Sequence, residues 1–206
     1  MENTKISLEE AVSRGLNDCD LHLSEIPELD LYIDQILTLV SSKNRSASPR
    51  YRENVLTKTM INNYSKEGLL MPVKGKKYNR EHIVQMLLIY SLKSSLSIGD
   101  IHRVLDGARG EDVKGEKLTE SYERHLVAKE DIRRMAADCV GAVNSDGLLE
   151  SENGEDFLVA LLELLSLSSY IRNIALELLE ERYPSVDGEK DKDKEKSKEK
   201  KQPKDK

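Results

Sequence analysis

Cysteine is nearly absent: two occur in 206 residues, Cys19 and Cys139. Neither sits in a CxxC or near a histidine at ligand spacing, which argues against a metal centre, so both read as reduced and structural. Histidine is sparse too, and His22, His82, His102 and His125 are scattered, none beside a Ser, Cys or carboxylate pair. That excludes the usual arrangements for nucleophilic or metal-assisted chemistry. No GxGxxG and no GxxxxGK[ST] occurs, so phosphate-cradling loops are absent. The expectation is a non-enzyme without a cofactor. No stretch approaches the ~20 apolar residues that span a bilayer, and no basic-then-apolar leader opens the chain, so a cytoplasmic protein is expected. No internal repeat is visible. Aromatics are few, with one Phe and no Trp, against 38% hydrophobic and 34% charged residues. This balance suits a helical, well-solvated domain and not a large catalytic sheet.

What is present is segregated charge. The formal net charge of -6 argues at first against a nucleic-acid partner. Residues 43–80, however, hold ten basic side chains against two acidic ones, whereas residues 1–42 hold nine acidic against two basic. A local excess of this kind acts within a Debye length of ~8 to 10 Å and is an electrostatic footprint for a polyanion.

Along the chain, Ser7 and Glu10 form a capping signature for a short helix carrying Leu8, Val12 and Leu16. Ser24 and Pro27 introduce a second, in which Leu29, Ile33, Ile36, Leu37 and Val40 recur at helical spacing. A Ser- and Pro-containing loop separates it from a short helix that Thr57 can cap and Gly68 can stop, running to about Lys66. In the basic segment MPVKGKKYN, Pro72 forbids a helix and Gly75 marks a tight turn, which predicts a two-stranded wing with its tip near Lys74 to Lys76. Residues 81–93 form a helix apolar on almost every side, hence central, and Ser97 with Asp100 caps another. The glycines of 107–117 predict a linker. Beyond it, helices are expected at 130–143 and at about 155–183, before a charged tail with no apolar residue to bury. The expected domains are a helical extension (1–27), a DNA-binding domain (28–106), the linker (107–117), a helical dimerisation or effector region (118–184) and a disordered tail (185–206).

The short helix carries the function. Lys58, Thr59, Asn62, Asn63 and Lys66, with Thr57 at the cap, gather on one face, while Leu56, Met60, Ile61 and Tyr64 lie largely on the other. Asn can pair with the adenine edge, Thr can contact a base or the thymine methyl, and Lys can neutralise phosphate or reach guanine. Lys74, Lys76, Lys77, Tyr78 and Arg80 of the wing extend the positive surface toward a flanking backbone or minor groove.

The run TMINNYSKEGLLMPVKGKKYNREHIVQMLLIYSLKSSLSIGDI resembles the DNA-binding domain of MerR-like regulators. The likeness is greatest to an uncharacterised MerR-like family of Gram-positive bacteria filed as a domain of unknown function, and it covers about residues 28–106. Tyr64, Gly68, Leu69, Leu70, Pro72, Lys76, Tyr78 and the cap at Ser97 to Ile101 match the MerR order. Asn62 stands where many MerR proteins carry arginine, and Asn63 replaces an aromatic. The resemblance implies a mainly α fold with a winged helix-turn-helix, a bacterial transcriptional regulator of double-stranded DNA, and a homodimer. Phe157, Leu164, Leu167, Ile171, Ile174 and Leu178 follow steps of three and four, an independent reason to expect self-association. A hairpin with the 130–143 helix uses the same stripe. The contrasting function is an adaptor that uses the winged helix as a docking platform for other proteins.

Overall fold

The computed structural model describes residues 6–17, 20–44, 56–73 and 75–185. Their regular structure is mainly helical, with one small antiparallel sheet of two strands. The order is α1 (Leu8–Leu16), a 3-10 turn (Leu23–Glu25), β1 (Leu31–Tyr32), α2 (Ile33–Asn44), α3 (Lys58–Lys66), β2 (Lys77–Tyr78), α4 (Arg80–Leu92), α5 (Ile98–Arg109), α6 (Glu116–Val143) and α7 (Gly154–Arg182). Serine caps open α1 and α5. Ser7 Oγ accepts the Glu10 N–H at 3.1 Å, and Ser97 and Asp100 satisfy one another's backbone in a full capping box.

α4 is the axis of the core. Ile83, Val84, Met86 and Ile89 are fully buried, and Gln85 with them. Around α4 one cluster collects Ile36 of α2, Ile61 of α3, Ile101 of α5 and Leu118 and Tyr122 of α6, and takes in Leu21 and Ile26. Each such aliphatic side chain contributes roughly 1.5–3 kcal/mol by leaving water.

The strands do not form the expected hairpin. β2 pairs with β1, with Leu31 opposite Tyr78 and Tyr32 opposite Lys77, some 45 positions away in sequence. The arm at 69–72 is already committed elsewhere. Gln85 Oε1 accepts the Met71 N–H at 2.9 Å, and Gln85 Nε2 donates to the Leu69 carbonyl at 2.7 Å. Pro72 has no N–H to offer a ladder. Lys74, at the expected tip, lies outside the described residues.

The second helix likewise begins later than its periodicity suggests. Residues 28 and 29 bend, Leu31 turns into the core as part of β1, and Leu29 is left 65% exposed. Gln35 Oε1 then accepts the Tyr32 N–H at 2.9 Å and starts α2. α6, by contrast, begins some fourteen residues before the expected 130. Asp112 accepts the N–H groups of Lys114, Gly115 and Lys117 and so organises the turn into it. Leu118, Tyr122 and Leu126 at four-residue steps supply its apolar side, and Tyr122 Oη donates to the Leu21 carbonyl at 2.8 Å.

α7 corrects the expectation about apolar stretches. Its 29 residues include an 18-residue window of mean hydropathy 1.4, long and apolar enough to cross a membrane by length and composition, although Glu163 and Arg172 interrupt the run. Its C-terminal part is fastened to the preceding helices. Arg103 Nη1 on α5 donates to Glu180 at 2.9 Å and also to the Tyr183 carbonyl, and Arg172 Nε donates to the Ser95 carbonyl at 2.9 Å. The Tyr183 ring packs directly on Gly107, where there is no room for a Cβ.

The Ser185 hydroxyl and N–H, with Arg103 behind them, hold the Glu180 carboxyl down to about 2, below its ordinary 4.5. A carboxyl lowered by folding stabilises above its unfolded value and loses that contribution as pH falls through the folded one. The last turns of α7 are therefore expected to exchange their amide protons faster, after correction for intrinsic rates, as pH drops from 4.5 toward 2. Glu180→Gln should show little further change over that range.

Candidate nucleic-acid interface

α3 is a short helix closed at both ends. The Thr57 hydroxyl accepts the Met60 N–H at 3.2 Å. At the other end the Leu69 N–H bonds to the Tyr64 carbonyl (2.9 Å) and the Gly68 N–H to the Ser65 carbonyl (3.2 Å), with Gly68 at φ +73°. That is a Schellman closure, and glycine supplies its left-handed residue without a Cβ penalty.

Packing separates the two faces of α3. Ile61 is fully buried and Tyr64 5% exposed, and Met60 packs against the same cluster. Thr57, Lys58, Thr59, Asn62, Asn63 and Lys66 are all exposed. Six polar side chains thus stand together on a face fixed from behind by the core. Burial pushes the Tyr64 hydroxyl above its usual range, with Tyr90 adding to the effect. Among the described residues that hydroxyl has no hydrogen-bond partner.

The basic residues after α3 divide. Lys76 and Lys77 are exposed at the turn into β2, and Lys77 Nζ lies 5.2 Å from the centroid of the Tyr32 ring on β1. Tyr78 is half-buried, its ring edge-on to His82 at 5.9 Å between centroids. Arg80 is engaged inward. Its Nη2 donates to the Ile26 carbonyl at 3.0 Å, and its Nε is buried without a partner among the described residues. A guanidinium held this way ties the 3-10 turn to α4 and has little reach toward a ligand.

Two neighbours of α3 escape sequence inspection. Asp34, in the first turn of α2, lies 3.9 Å from Lys58 Nζ, both side chains well exposed. Lys93, at the end of α4, places its ammonium 3.7 Å from Met60 Sδ and 4.6 Å from the Tyr90 ring centroid. Burial lowers its pKa. No local signal announces either, because each depends on helices packing from distant positions. Among the described residues no group of His, Cys, Asp and Glu could hold a metal ion.

The family model described as Domain of unknown function (DUF1836) matches residues 21–125. The chain belongs to that family. No curated protein and no solved structure matches it. The DUF1836 segment holds every buried residue of the central cluster, from Leu21 to Tyr122, together with α3 and the Lys76–Lys77 turn. Outside it lie α1, most of α6 and all of α7, so the α3 face belongs to the part of the chain that defines DUF1836.

The stripe on α7 is unevenly covered. Leu164 and Leu167 are half-buried, whereas Phe157, Ile171, Ile174 and Leu178 are exposed.

Proposed function

We propose that this DUF1836 protein is a sequence-specific binder of double-stranded DNA and a bacterial transcriptional regulator, with α3 in the major groove and Lys76 and Lys77 on a flanking backbone. The observation that carries it is the exposed face of α3, where two asparagines, two threonines and two lysines are held by a helix capped at both ends and anchored through Ile61 and Tyr64. A major groove ~12 Å wide admits one helix, and these are residue types that pair with its base edges and phosphates. In this reading the domain is a winged helix-turn-helix of MerR-like type, in which α2 and α3 form the helical pair and the β1–β2 sheet stands at the wing.

The test is duplex affinity against salt. Binding should weaken from 50 to 200 mM with a log-log slope of roughly -0.9 per phosphate neutralised. Replacing Lys76 and Lys77 together by alanine should reduce that slope by about two units, whereas Arg80→Ala should leave it unchanged. Salt-independent binding, or none at low salt, would overturn the proposal in favour of a protein-docking platform.

A further inference from the structure

The end of α4 meets α3 in a wedge of four side chains. Met60 and Tyr64 stand one turn apart on α3, and Tyr90 and Lys93 one turn apart at the end of α4. Lys93 Nζ reaches across to within 3.7 Å of Met60 Sδ and lies 4.6 Å from the Tyr90 ring centroid. Its neighbours are thus a thioether and an aromatic face, and among the described residues no carboxylate pairs with it. Other lysines are placed differently. Lys58, Lys114 and Lys129 pair with Asp34, Glu116 and Asp20, and Lys66 and Lys76 are exposed.

Two polar groups in the wedge go unmet. Tyr64 is close enough to Tyr90 for the two hydroxyls to influence one another, and its own hydroxyl is buried without a hydrogen-bond partner among the described residues. The Lys93 side chain is half-buried with no counter-charge. Burial of an unpaired charge disfavours the charged form, and it lowers the Lys93 pKa accordingly. An unprotonated amine is a nucleophile, and lysines whose charge is disfavoured by burial are the ones that bond to carbonyl carbon.

We propose that Lys93 is a site of Nε-acylation, taking its acyl group from a small acyl phosphate. The neutral amine adds to the carbonyl carbon, the C–O bond to the phosphate breaks, inorganic phosphate leaves with that electron pair, and the nitrogen gives up a proton to water. An unpaired ammonium is thereby exchanged for a neutral amide, whose carbonyl brings an acceptor into a wedge where the Tyr64 hydroxyl has none. The apolar flank of Met60 and Tyr90 suits a short acyl chain, and a half-buried amine favours a small donor over a bulky one. Because Met60 belongs to α3, the acylated side chain adjoins the back of the helix that carries the exposed asparagines.

The chemistry stands apart from the duplex reading, and its test uses no DNA. The full chain is incubated with acetyl phosphate, and the acetylated fraction of each lysine is followed by mass spectrometry of its peptides. Lys93 should acetylate about threefold or more faster than the exposed Lys66 and Lys76. In urea, where the wedge is gone, the three rates should converge. Met60→Glu sets a carboxylate beside the amine and should bring the Lys93 rate down to that of Lys76 or below, with helical content by circular dichroism unchanged. A Lys93 rate in the folded chain no greater than that of Lys76 overturns the proposal. So does a preference that persists in urea or survives Met60→Glu.

Discussion

Gln85→Leu is expected to lower the stability of the folded chain by about 3 kcal/mol, well above the ~1 kcal/mol of an average substitution. Gln85 is fully buried, yet both ends of its amide are used: the oxygen accepts from Met71 N–H and the nitrogen donates to the Leu69 carbonyl. Leucine has comparable volume and fills the space, so the loss comes from the two backbone groups left without partners inside the core. Each such group costs ~1–3 kcal/mol. The measurement is a urea titration, in which the midpoint should fall while the slope stays constant. Gln85→Glu should be at least as damaging, because a carboxylate keeps one bond, loses the other and buries a charge. A leucine variant within 0.5 kcal/mol of wild type would show that residues 69–71 do not depend on α4 for their path.

Asn62→Ala is expected to cost ~1–3 kcal/mol, roughly 5- to 150-fold in affinity, on a duplex selected from a random pool, and little on a scrambled one. Asn62 stands on the exposed side of α3, one turn from Thr59 on one side and Lys66 on the other, and its removal leaves Ile61 and Tyr64 packed as before. Stability should thus be unchanged, so that a loss of affinity would report the proposed base contact alone. Asn63 should behave alike at a neighbouring base pair. Competition binding of each variant on the two duplexes checks this, and equal losses on both would assign the asparagines to backbone contact or to none.

Features written in a few consecutive residues were readable before the fold was known. Thr57 and Ser97 start their helices, Gly68 ends α3, and the apolar wrapping of residues 80–92 places α4 at the centre, because caps, left-handed glycines and periodicity act over one or two turns. The exposed set on α3 was legible for the same reason. Long-range pairing was not. Nothing near Lys77 and Tyr78 names Leu31 and Tyr32 as their strand partners, and nothing near Arg80 names the Ile26 carbonyl. Arg80 therefore looked like one more ligand-facing cation when it is a brace between segments. The start of α6 was hidden because one apolar residue in four is enough for a helix that lays only a narrow edge on the core.

The fastening of α7 to α5 has a mechanical consequence. A helix of 29 residues is about 44 Å long at ~1.5 Å per residue, and Arg103 grips it near its C-terminal end. It is held at this end beside the DUF1836 core and packs along α6 toward the other. A tilt of about 10° at Glu180 would carry the tip near Phe157 by about 6 Å, roughly a full helical turn. Through Arg103, a movement of the tip bears first on α5, whose Ile101 and Leu105 sit in the same core as α4.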